Sequence, residues 1–125
     1  MRILVVGGGG REHALVWKLC NSPAVETVYC IPGNGGIAEI ATCVDMDVGD
    51  FEGLIRFVKR ESIDFVVVGP EAPLAAGIVD VFEARGVPIF GPRKNGALVE
   101  TSKVYAKGMM AKHGILTAPF NIFSD

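Results

Sequence analysis

The sequence predicts an α/β fold in which an open parallel sheet carries helices on both faces. Short apolar, β-branched runs alternate along the chain with segments of helical period, the order of strand, crossover and strand that builds a parallel sheet. The first run, Arg2 to Val6, is continuously apolar after its first residue, as a strand covered on both sides must be. The longer runs also end in glycine or proline turns, which stop a strand before the next helix begins. With half of the 125 residues apolar, the chain can bury a real core, and its length suits one compact domain.

Strand one, Arg2 to Val6, runs into Gly7, Gly8, Gly9 and Gly10, and a helix is expected from about Arg11 to Cys20. Ala14, Leu15, Trp17, Lys18 and Leu19 would supply its apolar face, and Asn21, Ser22 and Pro23 would end it. Strand two is Thr27 to Ile31, stopped by the turn residues Pro32, Gly33, Asn34, Gly35 and Gly36; a short third strand is expected near Cys43 and Val44. After a candidate cap at Asp50, the residues Phe51, Leu54, Ile55, Phe57 and Val58 recur at helical spacing, with Glu52 near the positive end of the helix dipole.

Strand four, Asp64 to Val68, leads into Gly69, Pro70 and Glu71. One helix is expected from about Leu74 to Ala84, closed by Arg85 and Gly86, then a short strand Pro88 to Phe90 and a turn at Gly91 and Pro92. Lys94 to His113 reads as one or two helices, with Thr101 or Ser102 as a cap and Gly114 as a stop. Residues 1–92 would form the sheet domain and residues 93–125 a helical connection, the part that would lead into whatever follows the sheet. Right-handed crossovers give the strand order 3-2-1-4-5 in such a sheet, and the reversal of winding opens a crevice beside strand one.

The 12 basic and 14 acidic residues, with a net charge of −2 and no long block of either sign, give no electrostatic reason to bind nucleic acid. The run Ile3 to Val6 is too short for a signal-peptide core, and no stretch reaches membrane-spanning length, so no membrane partner and a cytoplasmic location are expected. Cys20, Cys30 and Cys43 lack the close spacing of zinc or redox motifs and are expected to be buried, reduced thiols; neither histidine has a metal-site partner motif, and no metal ligand is assigned.

Three loops would gather at the crevice. Gly7 to Gly10 join a strand to a helix, where free N–H groups of the first turn favour an anion; a ligand-free tight turn is the plain alternative. The dinucleotide fingerprint fits poorly. Its third glycine position falls on Glu12 or His13, and strand two ends in Cys30, Ile31 and Pro32 where an acidic residue should meet a ribose. Arg11 is placed to pair with a phosphate, and Glu12 and His13 to hydrogen-bond a sugar or neighbouring loops, the alternative being a solvated helix start. Glu71 would face ribose hydroxyls or an amine, or else satisfy backbone donors at the next helix start. Lys103 and Lys107 share a helix face, an arrangement that spacing alone assigns to wet surface.

In collinear order, Gly7-Gly8-Gly9-Gly10-Arg11-Glu12-His13, Pro32-Gly33-Asn34 and Gly69-Pro70-Glu71-Ala72-Pro73-Leu74 resemble the start of the glycinamide ribonucleotide synthetase family, in the ATP-grasp superfamily. The Gly91-Pro92 turn and the segment Ser102-Lys103 to Ala106-Lys107 continue the likeness over essentially the whole chain. The resemblance implies a Rossmann-like, pre-ATP-grasp sheet and an ATP-dependent ligase of purine synthesis. That ligase joins glycine to 5-phosphoribosylamine, using ATP and magnesium or manganese. It implies that Gly8, Gly9, Gly10, Arg11, Glu12, His13, Pro32, Gly33 and Asn34 hold the phosphoribosyl part, with Gly69, Pro70 and Glu71 near its ribose or amine.

The same resemblance makes Lys103 nucleotide-proximal and leaves Lys107 at the surface. Members of the family continue well beyond this length into the parts that hold ATP and metal, so the chain by itself is expected to be an inactive substrate half-site. A non-catalytic nucleotide- or sugar-phosphate-binding module is the alternative, and an NAD-dependent reductase the weakest one.

Overall fold

Residues 1–123 are described by the computed structural model of the chain. Valine and isoleucine crowd the strands because a branched Cβ packs well on a pleated surface, and here they build a sheet of five strands. These are β1 (Arg2–Gly7), β2 (Thr27–Pro32), β3 (Thr42–Cys43), β4 (Phe65–Val68) and β5 (Ile89–Phe90). All neighbouring pairs are parallel and the order is β3-β2-β1-β4-β5, as expected.

Successive side chains of a strand leave on opposite faces, which divides the core in two. Leu4, Val6, Ile31, Val66 and Val68 meet α3 (Phe51–Arg60), α4 (Glu71–Ala76) and α5 (Ile78–Ala84) on one face. Ile3, Val5, Val28 and Cys30 meet α1 (Gly10–Cys20) and α2 (Gly35–Ala38) on the other, through Val16 and Ile37. Beyond β5, α6 (Lys94–Thr101) brings Ala97 into the first of these cores, whereas α7 (Lys103–Lys112) buries no residue. Asp50 caps α3 by accepting from the Gly53 N–H at 2.9 Å, and Ser102, rather than Thr101, caps α7 by accepting from the Tyr105 N–H.

Three local expectations change. The single helix expected from Leu74 to Ala84 begins earlier, at Glu71, and is broken at Gly77, whose φ of +96° lets the chain turn between α4 and α5. The Gly35–Ala38 stretch, expected as turn, closes into the short α2 because Asn34 caps it, accepting from the Ile37 N–H at 2.9 Å. In α1 the stripe facing the sheet is Glu12, Val16 and Leu19, while Leu15 and Trp17 are exposed. Both stripes are apolar enough to serve, and the inward turn of Glu12 selects between them. The expectation of buried cysteines holds for Cys30, whereas Cys43 is half-buried and Cys20 exposed; all three are free thiols. Burial pushes the Cys30 thiol up to about 12, so it stays protonated and packs as an apolar group.

The break at Gly77 gives a test of the backbone. A Cβ added there would meet only Lys94 and Asp80 side chains at ordinary contact distances, so the cost of Gly77→Ala comes from the left-handed φ alone. We expect a loss of about 1–2 kcal/mol in urea denaturation with no change in fold.

Candidate functional site

Register sets the level at which the three loops leave the sheet. Val6 of β1 lies opposite both Ile31 and Val68, and Gly7 lies opposite Pro32. The tetraglycine loop, the Pro32–Asn34 loop and the Gly69–Glu71 loop therefore emerge side by side at the carboxyl edge of the sheet.

Hydrogen bonds then tie them together. Gly33 donates its N–H to the Gly7 carbonyl at 3.2 Å, the Cys30 thiol donates to the same oxygen at 3.2 Å, and Asn34 Nδ2 donates to the Gly8 carbonyl at 2.8 Å. The Gly9 carbonyl accepts from the His13 N–H. The loop carbonyls are thus engaged from the protein side, whereas the N–H groups of Gly10 and Arg11, in the first turn of α1, have no intrahelical acceptor. Such a rim offers donors and favours an anion. Gly8 must be glycine for a local reason, since a Cβ there would collide with the Gly33 carbonyl.

The predicted side chains divide between crevice-facing and inward-facing positions. Arg11 and Glu71 face the crevice and form an ion pair of 2.8 Å between α1 and the first turn of α4. The Arg11 hydrogen bond and charge hold the Glu71 carboxyl below the usual carboxylate range, and Glu71 in turn raises the Arg11 guanidinium above its ordinary value. Glu12 points inward and is buried; its Oε2 accepts from the Gly9 N–H at 2.6 Å. His13 is half-buried with its ring against Gly36 of α2, and Asn34 spends both side-chain atoms on Gly8 and Ile37. Pro32 is exposed at the rim after a cis Ile31–Pro32 peptide, and Pro70 precedes α4.

Beside the ion pair lies an open cavity of about 310 Å³, bounded by Arg11, Gly69 and Glu71 on one side and Pro92, Glu100 and Thr101 on the other. Sequence reasoning missed Glu100 and Thr101 as wall residues. Only the Gly91-Pro92 turn, which sends α6 back over α4, hinted that this helix returns to the crevice. Lys103 stands elsewhere, with Val104, Lys107, Phe120 and Ile122 around a second depression of about 260 Å³. There Lys107 is half-buried, donating to the Thr117 hydroxyl and lying 5.4 Å from the Phe120 ring centre, and so is more engaged than a wet surface lysine. Among the described residues no group of three or more His, Cys, Asp or Glu side chains is placed to hold a metal ion.

A doubly wound parallel sheet with donor-rich loops gathered at its topological switch point defines a domain of Rossmann-like class. The chain belongs to the family described as phosphoribosylglycinamide synthetase, N domain, whose profile matches residues 1–100. It is 53% identical over its whole length to the phosphoribosylamine–glycine ligase of Ralstonia nicotianae, and 53% identical over 123 residues to that of Caldanaerobacter subterraneus. The chain spans 30% of each of these curated relatives. The crystal structure of the phosphoribosylamine–glycine ligase from Thermotoga maritima superposes with a TM-score of 0.68 at 31% identity, covering 97% of this chain and 27% of that one. N5-carboxyaminoimidazole ribonucleotide synthetase of the same organism gives 0.71 at 16% identity over 99% of this chain and 34% of the other, a likeness of fold.

The ion pair has a pH signature. A lowered Glu71 value means that the Arg11 contact stabilises at neutral pH and is lost as pH falls through that lowered value. We expect the Glu71 side-chain carboxyl carbon, followed by NMR, to titrate below the usual carboxylate range and to move up towards it in Arg11→Met.

Proposed function

We propose that the crevice binds 5-phosphoribosylamine and that the chain is the substrate-holding amino-terminal part of a ligase joining glycine to that amine with ATP. The observation that carries this reading is the polarity of one sheet edge. Donors and acceptors meet there: the free N–H groups of the first turn of α1 together with Arg11, and the carboxylates Glu71 and Glu100, with Arg11 and Glu71 paired at 2.8 Å. Phosphate suits the first, through backbone donors and Arg11. Ribose hydroxyls or an amine suit the second, where a carboxylate accepts their hydrogen bonds.

Family membership supports the same substrate, and the relatives named as phosphoribosylamine–glycine ligases are about three times as long as the matched segment. The described residues do not fit a magnesium or manganese ion, since no cluster of three ligating side chains forms among them. For ATP the one residue at issue is Lys103, whose ammonium beside an otherwise largely apolar depression would meet a nucleotide only together with groups from further polypeptide. The exposed Leu98, Val99 and Val104 of α6 and α7 favour association with such polypeptide, the point at which the non-catalytic-module reading has support.

Titration calorimetry with ribose 5-phosphate on the folded chain tests the reading. Binding is expected, weakened about tenfold in Arg11→Met by loss of one charge-assisted contact. With ATP and glycine added to the chain alone, no ADP should form. A folded chain that gives no heat with the sugar phosphate removes the half-site, and turnover by the chain alone removes the division of labour.

A further inference from the structure

We infer that Glu12 is a positioning residue, one that spaces the tetraglycine loop from the Gly69–Glu71 loop without touching the ligand. The inference rests on the crevice reading above and assigns the role of one of its residues.

A carboxylate in the first turn of a helix ordinarily faces water, but Glu12 is only 4% exposed. One oxygen, Oε2, takes the Gly9 N–H at 2.6 Å, a short, charge-assisted bond that fixes the loop's third glycine. The other, Oε1, is buried with no hydrogen-bond partner. Leaving a buried carboxylate oxygen unpaired is costly, and the surroundings show what holds it there. Cβ atoms built on Gly7 and Gly69 would both collide with the Glu12 side chain, so two strands' ends close around it only because those side chains are absent. Gly7 ends β1 and Gly69 follows β4, so the carboxylate is a spacer between the two loops that carry Arg11 and Glu71. Arg11 precedes Glu12 in the chain and Glu71 lies two residues after Gly69, so their 2.8 Å contact bridges the same two segments. A group with both oxygens enclosed cannot accept a bond from a ligand in the crevice; its effect must pass through the loops.

The test uses the 15N- and 13C-labelled chain with ribose 5-phosphate as probe, comparing Glu12→Ala, Glu12→Gln and Gly69→Ala. Unsubstituted protein should show a downfield, slowly exchanging Gly9 amide proton. Glu12→Ala should move it upfield and shift the Gly69 and Glu71 amides as well, far away in sequence. Affinity for ribose 5-phosphate should fall about tenfold or more in Glu12→Ala and clearly less in Glu12→Gln, which keeps the shape and one acceptor. Added ribose 5-phosphate should move the Gly10 and Arg11 amides and give no intermolecular nuclear Overhauser effect to the Glu12 side chain.

An intermolecular nuclear Overhauser effect between the sugar phosphate and the Glu12 side chain would show direct contact and overturn the inference. So would changes in Glu12→Ala confined to residues 9–13. If Glu12→Ala does not fold, Gly69→Ala must displace the Gly9 amide while Glu12 itself is retained, and failure to do so has the same force. Should the unsubstituted chain bind no ribose 5-phosphate, the crevice reading falls, and the spacer role is then decided by whether the Glu12→Ala shifts reach Gly69 and Glu71.

Discussion

Parallel pairing of β1 with β2 on one side and β4 on the other is the constraint from which the crevice follows. Leu4, Val5 and Val6 are fully buried, and adjacent positions of β1 serve opposite cores. Slipping a neighbour by one residue would exchange its two faces, so burial fixes the register as firmly as the hydrogen bonds do. With the register fixed, Gly7, Pro32 and Gly69 must come out level. Winding then reverses between the β1–β2 and β1–β4 crossovers, and the helices that follow part at this edge instead of covering it.

Level loops still need room to touch. Gly8 passes the Gly33 carbonyl at a distance no Cβ allows, and the contact is consolidated by the Gly33 and Asn34 donors on the Gly7 and Gly8 carbonyls. These same bonds decide the electrostatic character of the rim. By consuming loop carbonyls, they leave backbone donors free at this edge, which on the proposed function receive a phosphate without a basic patch. Net charge and composition therefore say little about the ligand here.

Much of this was legible in the chain. Strand order followed from the alternation of apolar runs and helical segments, and the three loops from glycine, proline and asparagine at the ends of those runs. Asp50 was readable as a cap because its side chain acts on a neighbour in sequence. What stayed hidden depends on partners distant in sequence. Nothing local marks Gly77 as left-handed inside an otherwise helical pattern, and five turn-forming residues mask the single turn of α2. Glu12 and Trp17 exchange the places that residue type suggests, the acid going inside and the tryptophan to 58% exposure, because the loop N–H and three glycines create a site for the acid. Glu100 joins the crevice wall through the return of α6, a tertiary event that spacing along the helix does not announce.

The exposed Arg11–Glu71 pair adds a selectivity argument to this geometry. Each group satisfies the other at 2.8 Å, so a ligand that draws Arg11 away leaves Glu71 without its partner. A simple phosphate would compensate only the arginine. A molecule carrying phosphate at one end and a hydrogen-bond-donating amine or hydroxyls at the other restores both, replacing one internal contact by two external ones. Because the pair is solvent-exposed, separating it is a small cost set against two charge-assisted hydrogen bonds. On the proposed function, the pair therefore works as a placeholder that favours bifunctional ligands over bare anions.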